Sequence, residues 1–167
     1  MDEVLFTFLD VETTGLNSAI RGGDRICEIG LLRCRGGEEI AAYHSLINPG
    51  RPISLAAQAV NHITDDMVAD APPFSKIVEK ALPLLEDAVL VAHNAPFDLS
   101  FLNVQLSLLL IPELKNQVVD TLPLARSLYG FPSNSLGNLR RYMGLNIRGE
   151  HRAMEDVLTL RDVFLHI

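Results

Sequence analysis

The chain has 167 residues, 48% of them apolar, and a net charge of −7. That length suits one domain with one core across residues 1–167, and the acidic balance excludes the basic signature of a dedicated nucleic-acid-coating protein. No apolar run is long enough to span a bilayer, and the Met1-Asp2-Glu3 start lacks the basic opening of a secretory signal, so a cytoplasmic protein without membrane contact is expected.

Val4 to Asp10 is an apolar run of strand length. Arg25 to Arg35 and Glu38 to Ile47 read as two further strands, joined in a hairpin at Gly36-Gly37. Asn48-Pro49-Gly50 and Pro52 break the pattern. Ser54 to Asn61 then reads as a short helix with Ser54 as N-cap. Thr64-Asp65-Asp66-Met67 begins like a helix, without the Glu or Gln that would close a capping box. Pro73 to Leu85 is a stronger helix, and Ala88 to Ala92 a short strand. Pro96 to Leu110 is a helix apolar on most faces, hence buried, and Pro112 ends it. Val118-Val119 is a brief strand. Helices follow at Leu122 to Tyr129, at Leu136 to Met143 with Gly144 at C′, and at Arg152 to Ile167. Early strands followed by alternating helix and strand imply an α/β mixed sheet, antiparallel early and parallel late. Cys27 and Cys34 lie seven apart on one predicted strand, so they face opposite ways and are not expected to pair; a reducing compartment follows.

Three acidic motifs are threaded through these elements. In the first, Asp10-Val11-Glu12-Thr13-Thr14-Gly15, the two acids are two apart and leave a strand from one face. The turn that follows is expected to offer hydroxyls and N–H groups to an anion. In the second, His93-Asn94-Ala95-Pro96-Phe97-Asp98, Asn94 reads as an N-cap. Asp98 then falls one turn into the helix, where the positive helix end favours an ionised carboxylate. It shares a face with Phe101, Leu102 and Gln105, and a carboxylate there needs a partner. In the third, His151-Arg152-Ala153-Met154-Glu155-Asp156, Asp156 lies beside the apolar stripe Ala153, Val157, Leu160, Phe164 and Ile167. Glu155 turns to solvent, and His151 falls in the loop or first turn. Each motif alone has a plain reading: solvated strand-end acids, a capping acid, a surface histidine.

Together they offer four carboxylates and a histidine from three places. Hard oxygen ligands suit two Mg²⁺ or Mn²⁺ ions and argue against zinc. Two such ions can bind the attacking water and the leaving oxygen of a phosphodiester. A histidine, which changes charge near neutral pH, can take the water's proton. No phosphate-binding glycine loop, zinc-protease motif or serine nucleophile elbow competes with this reading.

The three motifs resemble Exo I, Exo II and Exo III of the DEDDh family of 3′→5′ exonucleases, which includes the proofreading ε subunit of bacterial DNA polymerase III, ribonuclease T and oligoribonuclease. Ile47-Asn48-Pro49-Gly50, Val60-Asn61-His62-Ile63-Thr64, Ala71-Pro72-Pro73-Phe74 and Asp120-Thr121-Leu122 resemble ε-type stretches. The resemblance implies an RNase H-like fold with a five-stranded mixed sheet flanked by helices. It implies two-metal hydrolysis from a 3′ end that releases nucleoside 5′-monophosphates. It assigns Asp10, Glu12, Asp98 and Asp156 as metal ligands, His151 as general base, and Thr13, Thr14, Leu16, Asn94 and Phe97 as the lining of the terminal-nucleotide pocket. The partners implied are nucleic acid 3′ ends, DNA foremost with RNA as a second substrate, and a DNA polymerase subunit. Two alternatives stay open: a non-catalytic module that binds nucleic-acid ends or a partner, and an exonuclease of short oligoribonucleotides. The chain departs from the family at Asn61-His62, where His-Gly is common, and Asp120 reads as a structural cap. Arg126, Arg140, Arg141, Arg148 and Arg152 form either a basic rim for phosphates or ordinary solvated helix surface.

Overall fold

The computed structural model describes residues 4–146, 149 and 151–167. In chain order the elements are β1 (Leu5–Thr13), β2 (Ile26–Arg35), β3 (Glu38–Leu46), α1 (Leu55–Asn61), α2 (Asp65–Val68), α3 (Phe74–Leu85), β4 (Val89–Ala92), α4 (Ala95–Leu108), β5 (Val118–Asp120), α5 (Thr121–Leu128), α6 (Leu136–Tyr142) and α7 (Ala153–His166). The sheet order is β3-β2-β1-β4-β5. The β1–β2 and β2–β3 pairs are antiparallel, and the β1–β4 and β4–β5 pairs are parallel, as the element order implied. Gly36 and Gly37 both take positive φ, 57° and 87°, which matches the two-residue turn that a twisted hairpin favours.

The helices divide between the sheet's faces by strand alternation. Leu9 and Val11 of β1 point to α3 and α4, packing with Ile77, Ala81, Phe101 and Leu102. Phe8 points the other way, to Val157 and Leu160 of α7. Phe164 of α7 closes that layer, its ring 5.2 Å from Phe6 and 5.4 Å from Phe8. Ala125 of α5 and Leu139 of α6 pack against Val163 on the outer side of α7. The two cysteines are free and buried in different clusters, Cys27 with Ile53 and Ile63, Cys34 with Phe8, so the opposite-face expectation holds.

The two neighbours of β1 pair with it over different lengths. The β1–β2 ladder runs to Thr13, but β4 pairs only with Phe6 to Phe8. Beyond Phe8, β1 therefore has an open edge on the β4 side, and α4 begins beside it. The first motif begins inside β1 and leaves it at Thr14: the strand extends three residues past the predicted end at Asp10, so both Asp10 and Glu12 lie on the strand as their spacing implied.

Candidate active site

Asp10 and Glu12 leave β1 on the α7 face, and Asp156 meets them from the first turn of α7. Carboxylate oxygens of these three residues all lie within 4.8 Å of one another. Asp98 comes from α4, close enough for its charge to act on Asp10, but it is not one of the three carboxylates that meet within 4.8 Å. It is buried, and its Oδ1 accepts the Val11 N–H at 3.0 Å, filling the backbone position that the missing β4 partner leaves open. This is the partner that a carboxylate on the buried face of α4 required. Phe101, Leu102 and Gln105 share that face as expected, and Gln105 likewise accepts the Ile26 N–H at 2.8 Å.

Such crowding is unfavourable for acids without a counter-charge. Burial, then the neighbouring charges of Asp98, Glu12, Asp156 and Glu28, push the Asp10 carboxyl well above its ordinary range. Burial, then Asp156 and Glu28, push Glu12 up to about 8. Burial also raises Asp98 to about 8, against the opposing pull of the Val11 N–H. The positive end of α4 was expected to keep Asp98 ionised. Desolvation outweighs it. Asp10 Oδ2 is a buried oxygen with no hydrogen-bond partner among the described residues. A buried orphan acceptor is costly, and here it faces a cluster of like-charged groups. A hard divalent cation would satisfy both conditions at once, so the donor set fits Mg²⁺ or Mn²⁺.

His151 lies two residues before α7, exposed, at a left-handed φ of 61°. It is therefore outside the helix, as its spacing to Asp156 suggested. Glu155 is exposed, also as expected.

A hollow of about 530 Å³ opens beside Glu12. Thr13, Leu16 and Phe97 line it, together with Ala57, Val60 and Asn61. Leu16 is 87% exposed, an apolar side chain presented to solvent at the rim. The two threonines do not offer free hydroxyls. Thr13 Oγ1 donates to Gly15 O at 2.6 Å. Thr14 Oγ1 donates to Asp24 Oδ1 at 2.8 Å and accepts the Arg25 N–H, while its own N–H bonds Arg25 O. Both hydroxyls and the Thr14 N–H are thus engaged within the turn, and Thr14 and Asn94, unlike Thr13, Leu16 and Phe97, do not line the hollow. Asn94 does not cap α4 with its side chain: it sits at φ 71°. Asp120 supplies the acceptor instead, taking the Asn94 and Ala95 N–H groups at 2.9 and 3.1 Å while it caps α5 through Leu122 N–H. The capping role read for Asp120 is therefore present, and extends to a second helix.

Three other polar residues had no role assigned from the sequence. His93 is held between Thr121 Oγ1 and Asn134 O, both at 2.8 Å, and burial lowers its pKa. Asp24 binds Thr14 Oγ1 and Asn17 N–H, fixing the turn after Glu12. Glu28 of β2 stands in register with Glu12, fully buried, and binds Arg152 and the Ala153 N–H. The signal for Glu28 was an acid within the apolar run Ile26-Cys27-Glu28-Ile29. Its partner, more than a hundred residues away, carried no signal. Arg152 is therefore committed to Glu28 and not held free for phosphate. Arg140 is buried and Arg141 bonds Asn138 Oδ1. Arg126 is exposed, and Arg148 lies outside the described residues.

The exonuclease family profile, RNase_T, matches residues 7–164. The chain is 39% identical to the DNA polymerase III subunit epsilon of Treponema pallidum, over 98% of this chain and 76% of that protein. It is 36% identical to the PolC-type DNA polymerase III of Thermotoga maritima, over 98% of this chain but only 12% of that protein. Among solved structures, exonuclease X in complex with 5′-overhanging duplex DNA superposes with a TM-score of 0.74 at 28% identity, covering 96% of this chain and 92% of the other. The chain belongs to the exonuclease family of nuclease hydrolases and has its RNase H-like fold.

Proposed function

We propose that this protein is a metal-dependent 3′→5′ exonuclease that removes nucleoside 5′-monophosphates from DNA 3′ ends, and that it serves or forms part of a DNA polymerase. The observation that carries the proposal is the meeting of Asp10, Glu12 and Asp156 within 4.8 Å around an unsatisfied buried oxygen. Similarity to an epsilon subunit and to PolC-type polymerases supports the polymerase association and DNA as substrate.

Asp10, Glu12, Asp98 and Asp156 would hold two Mg²⁺ or Mn²⁺ ions. When bound, such ions lower the pKa of water and neutralise charge on the leaving oxygen. The chain's residues do the rest. The rigid β1 backbone holds Asp10 and Glu12, and Val11 N–H holds Asp98. Phe97 and Leu16 give apolar faces for the terminal nucleotide in the hollow beside Glu12. His151, exposed before α7, accepts a proton from the attacking water. Attack at phosphorus breaks the bond to the preceding 3′ oxygen, which takes a proton from solvent.

The test is to incubate the protein with 5′-labelled single-stranded DNA, duplex DNA and RNA in Mg²⁺, Mn²⁺ or EDTA. A ladder shortening from the 3′ end, abolished by EDTA and by Asp10→Asn, is expected. Internal cuts, or cleavage that survives both treatments, would refute the proposal.

A further inference from the structure

Glu28 has a position that metal binding by the three motifs does not by itself explain. It is fully buried, directly opposite Glu12 in the β1–β2 register. Its two oxygens accept a fork from Arg152, with Nε at 3.1 Å from each and Nη2 at 2.7 Å from Oε2. Oε1 also accepts the Ala153 N–H at 2.8 Å, and His44 of β3 lies 2.9 Å from Oε2. Burial would raise this carboxyl. The bonds from Arg152, Ala153 and His44 outweigh it, so Glu28 is held below its ordinary range while Asp10, Glu12 and Asp98 are raised. Two residues along β2, Gly30 faces Asp10 in register. A Cβ there would stand 2.8–2.9 Å from the Ala153 carbonyl and Met154 nitrogen. β2 thus draws the first turn of α7 down onto the strand that carries Asp10 and Glu12.

We infer that Glu28, acting through Arg152 and the Ala153 amide, is a positioning residue that sets where α7 presents Asp156, and the turn before it His151, to the metal site. The inference rests on the proposed function. Arg152 is the residue between His151 and α7, so a two-oxygen, two-nitrogen fork on it fixes both position and rotation of the helix start. A monodentate or neutral partner would fix less. The geometry needed for gathering a cation is strict, and outer groups that orient ligands commonly change metal affinity or activity by about 10–100-fold when lost.

The experiment titrates Mn²⁺ into the whole chain, followed by thermal unfolding and by calorimetry, beside steady-state kinetics on a 5′-labelled oligonucleotide. Glu28→Gln is expected to raise the half-saturating Mn²⁺ about 10–100-fold and to lower kcat, with KM for the oligonucleotide near wild type. Arg152→Lys, which keeps charge but loses the fork, falls between. Leu85→Ala, a core change beneath the opposite face, unfolds more readily but keeps the wild-type Mn²⁺ midpoint. If Glu28→Gln does not fold, Arg152→Lys and Arg152→Gln, altered at the half-exposed end of the pair, give the same reading. Glu28 or Arg152 variants with a wild-type Mn²⁺ midpoint would overturn the inference while leaving the proposed function standing. A wild-type protein that takes up no Mn²⁺ would overturn both.

Discussion

Burial and mutual repulsion raise the carboxyls of Asp10, Glu12 and Asp98, and that has a measurable consequence. Their folded-state pKa values lie above those of unfolded carboxylates, with Glu12 and Asp98 at about 8. The metal-free folded chain therefore binds more protons than the unfolded chain between about pH 4 and pH 8. Stability in EDTA is then greatest below pH 4 as far as these groups are concerned, and is lost as pH rises through 8. Melting in EDTA across this range should show a falling Tm, and saturating Mn²⁺ should flatten the slope. Glu12→Gln removes one of the crowded charges. It should raise Tm in EDTA at pH 8 by a few degrees, since about 1 kcal/mol corresponds to roughly 2–4 °C at this size. It should also abolish cleavage. A Glu12→Gln protein less stable than wild type in EDTA at pH 8 would show that the carboxylates are not mutually repelling.

At the scale of elements, what was legible followed local chemistry. Helix and strand positions came from apolar periodicity and breakers, and α1 has its Ser54 cap as read, with the hydroxyl accepting Ala57 N–H at 3.1 Å. What was not legible came from distant partners. Asp98's bond to Val11 N–H, the exchange of the α4 cap from Asn94 to Asp120, and the Glu28–Arg152 pair each join segments dozens of residues apart. Their side chains look alike in sequence whether buried or solvated. The His62 departure has a local meaning: it ends α1 at φ 58°, a left-handed position that costs a non-glycine residue about 1–2 kcal/mol. His62→Gly should recover on the order of 1 kcal/mol in denaturant unfolding without changing kcat, because Asn61 and not His62 ties α1 to Thr13 O. A loss of stability would mean that the His62 side chain contributes contacts that outweigh the strain. Asp120 holds two helix starts, so Asp120→Ala should cost about 1–3 kcal/mol and loosen the start of α4 that carries Asp98. Unchanged stability would deny it that joint role.

For the molecule as a whole, the fold is a device for bringing one strand and two helices to a point. β1 outruns β4, which leaves a gap for α4 to supply Asp98. β2 stays in register with β1 as far as Glu12 and Glu28, which lets Glu28 and Gly30 seat α7 with Asp156. The motif order read from the sequence picked out Asp10, Glu12 and Asp156, which lie within 4.8 Å of one another. The strand mismatch that lets Asp98 bond the Val11 N–H was not readable, because it depends on where β4 stops pairing. No helix among the described residues is long and apolar enough to cross a membrane. The central claim is that the acids of the three motifs form one divalent-metal site. The most direct measurement is anomalous diffraction from crystals soaked in Mn²⁺ with a nucleoside 5′-monophosphate. Two peaks are expected among Asp10, Glu12, Asp98 and Asp156, with the phosphate against them and the base in the hollow between Leu16 and Phe97. Mn²⁺ peaks elsewhere with an empty acidic cluster would contradict the account.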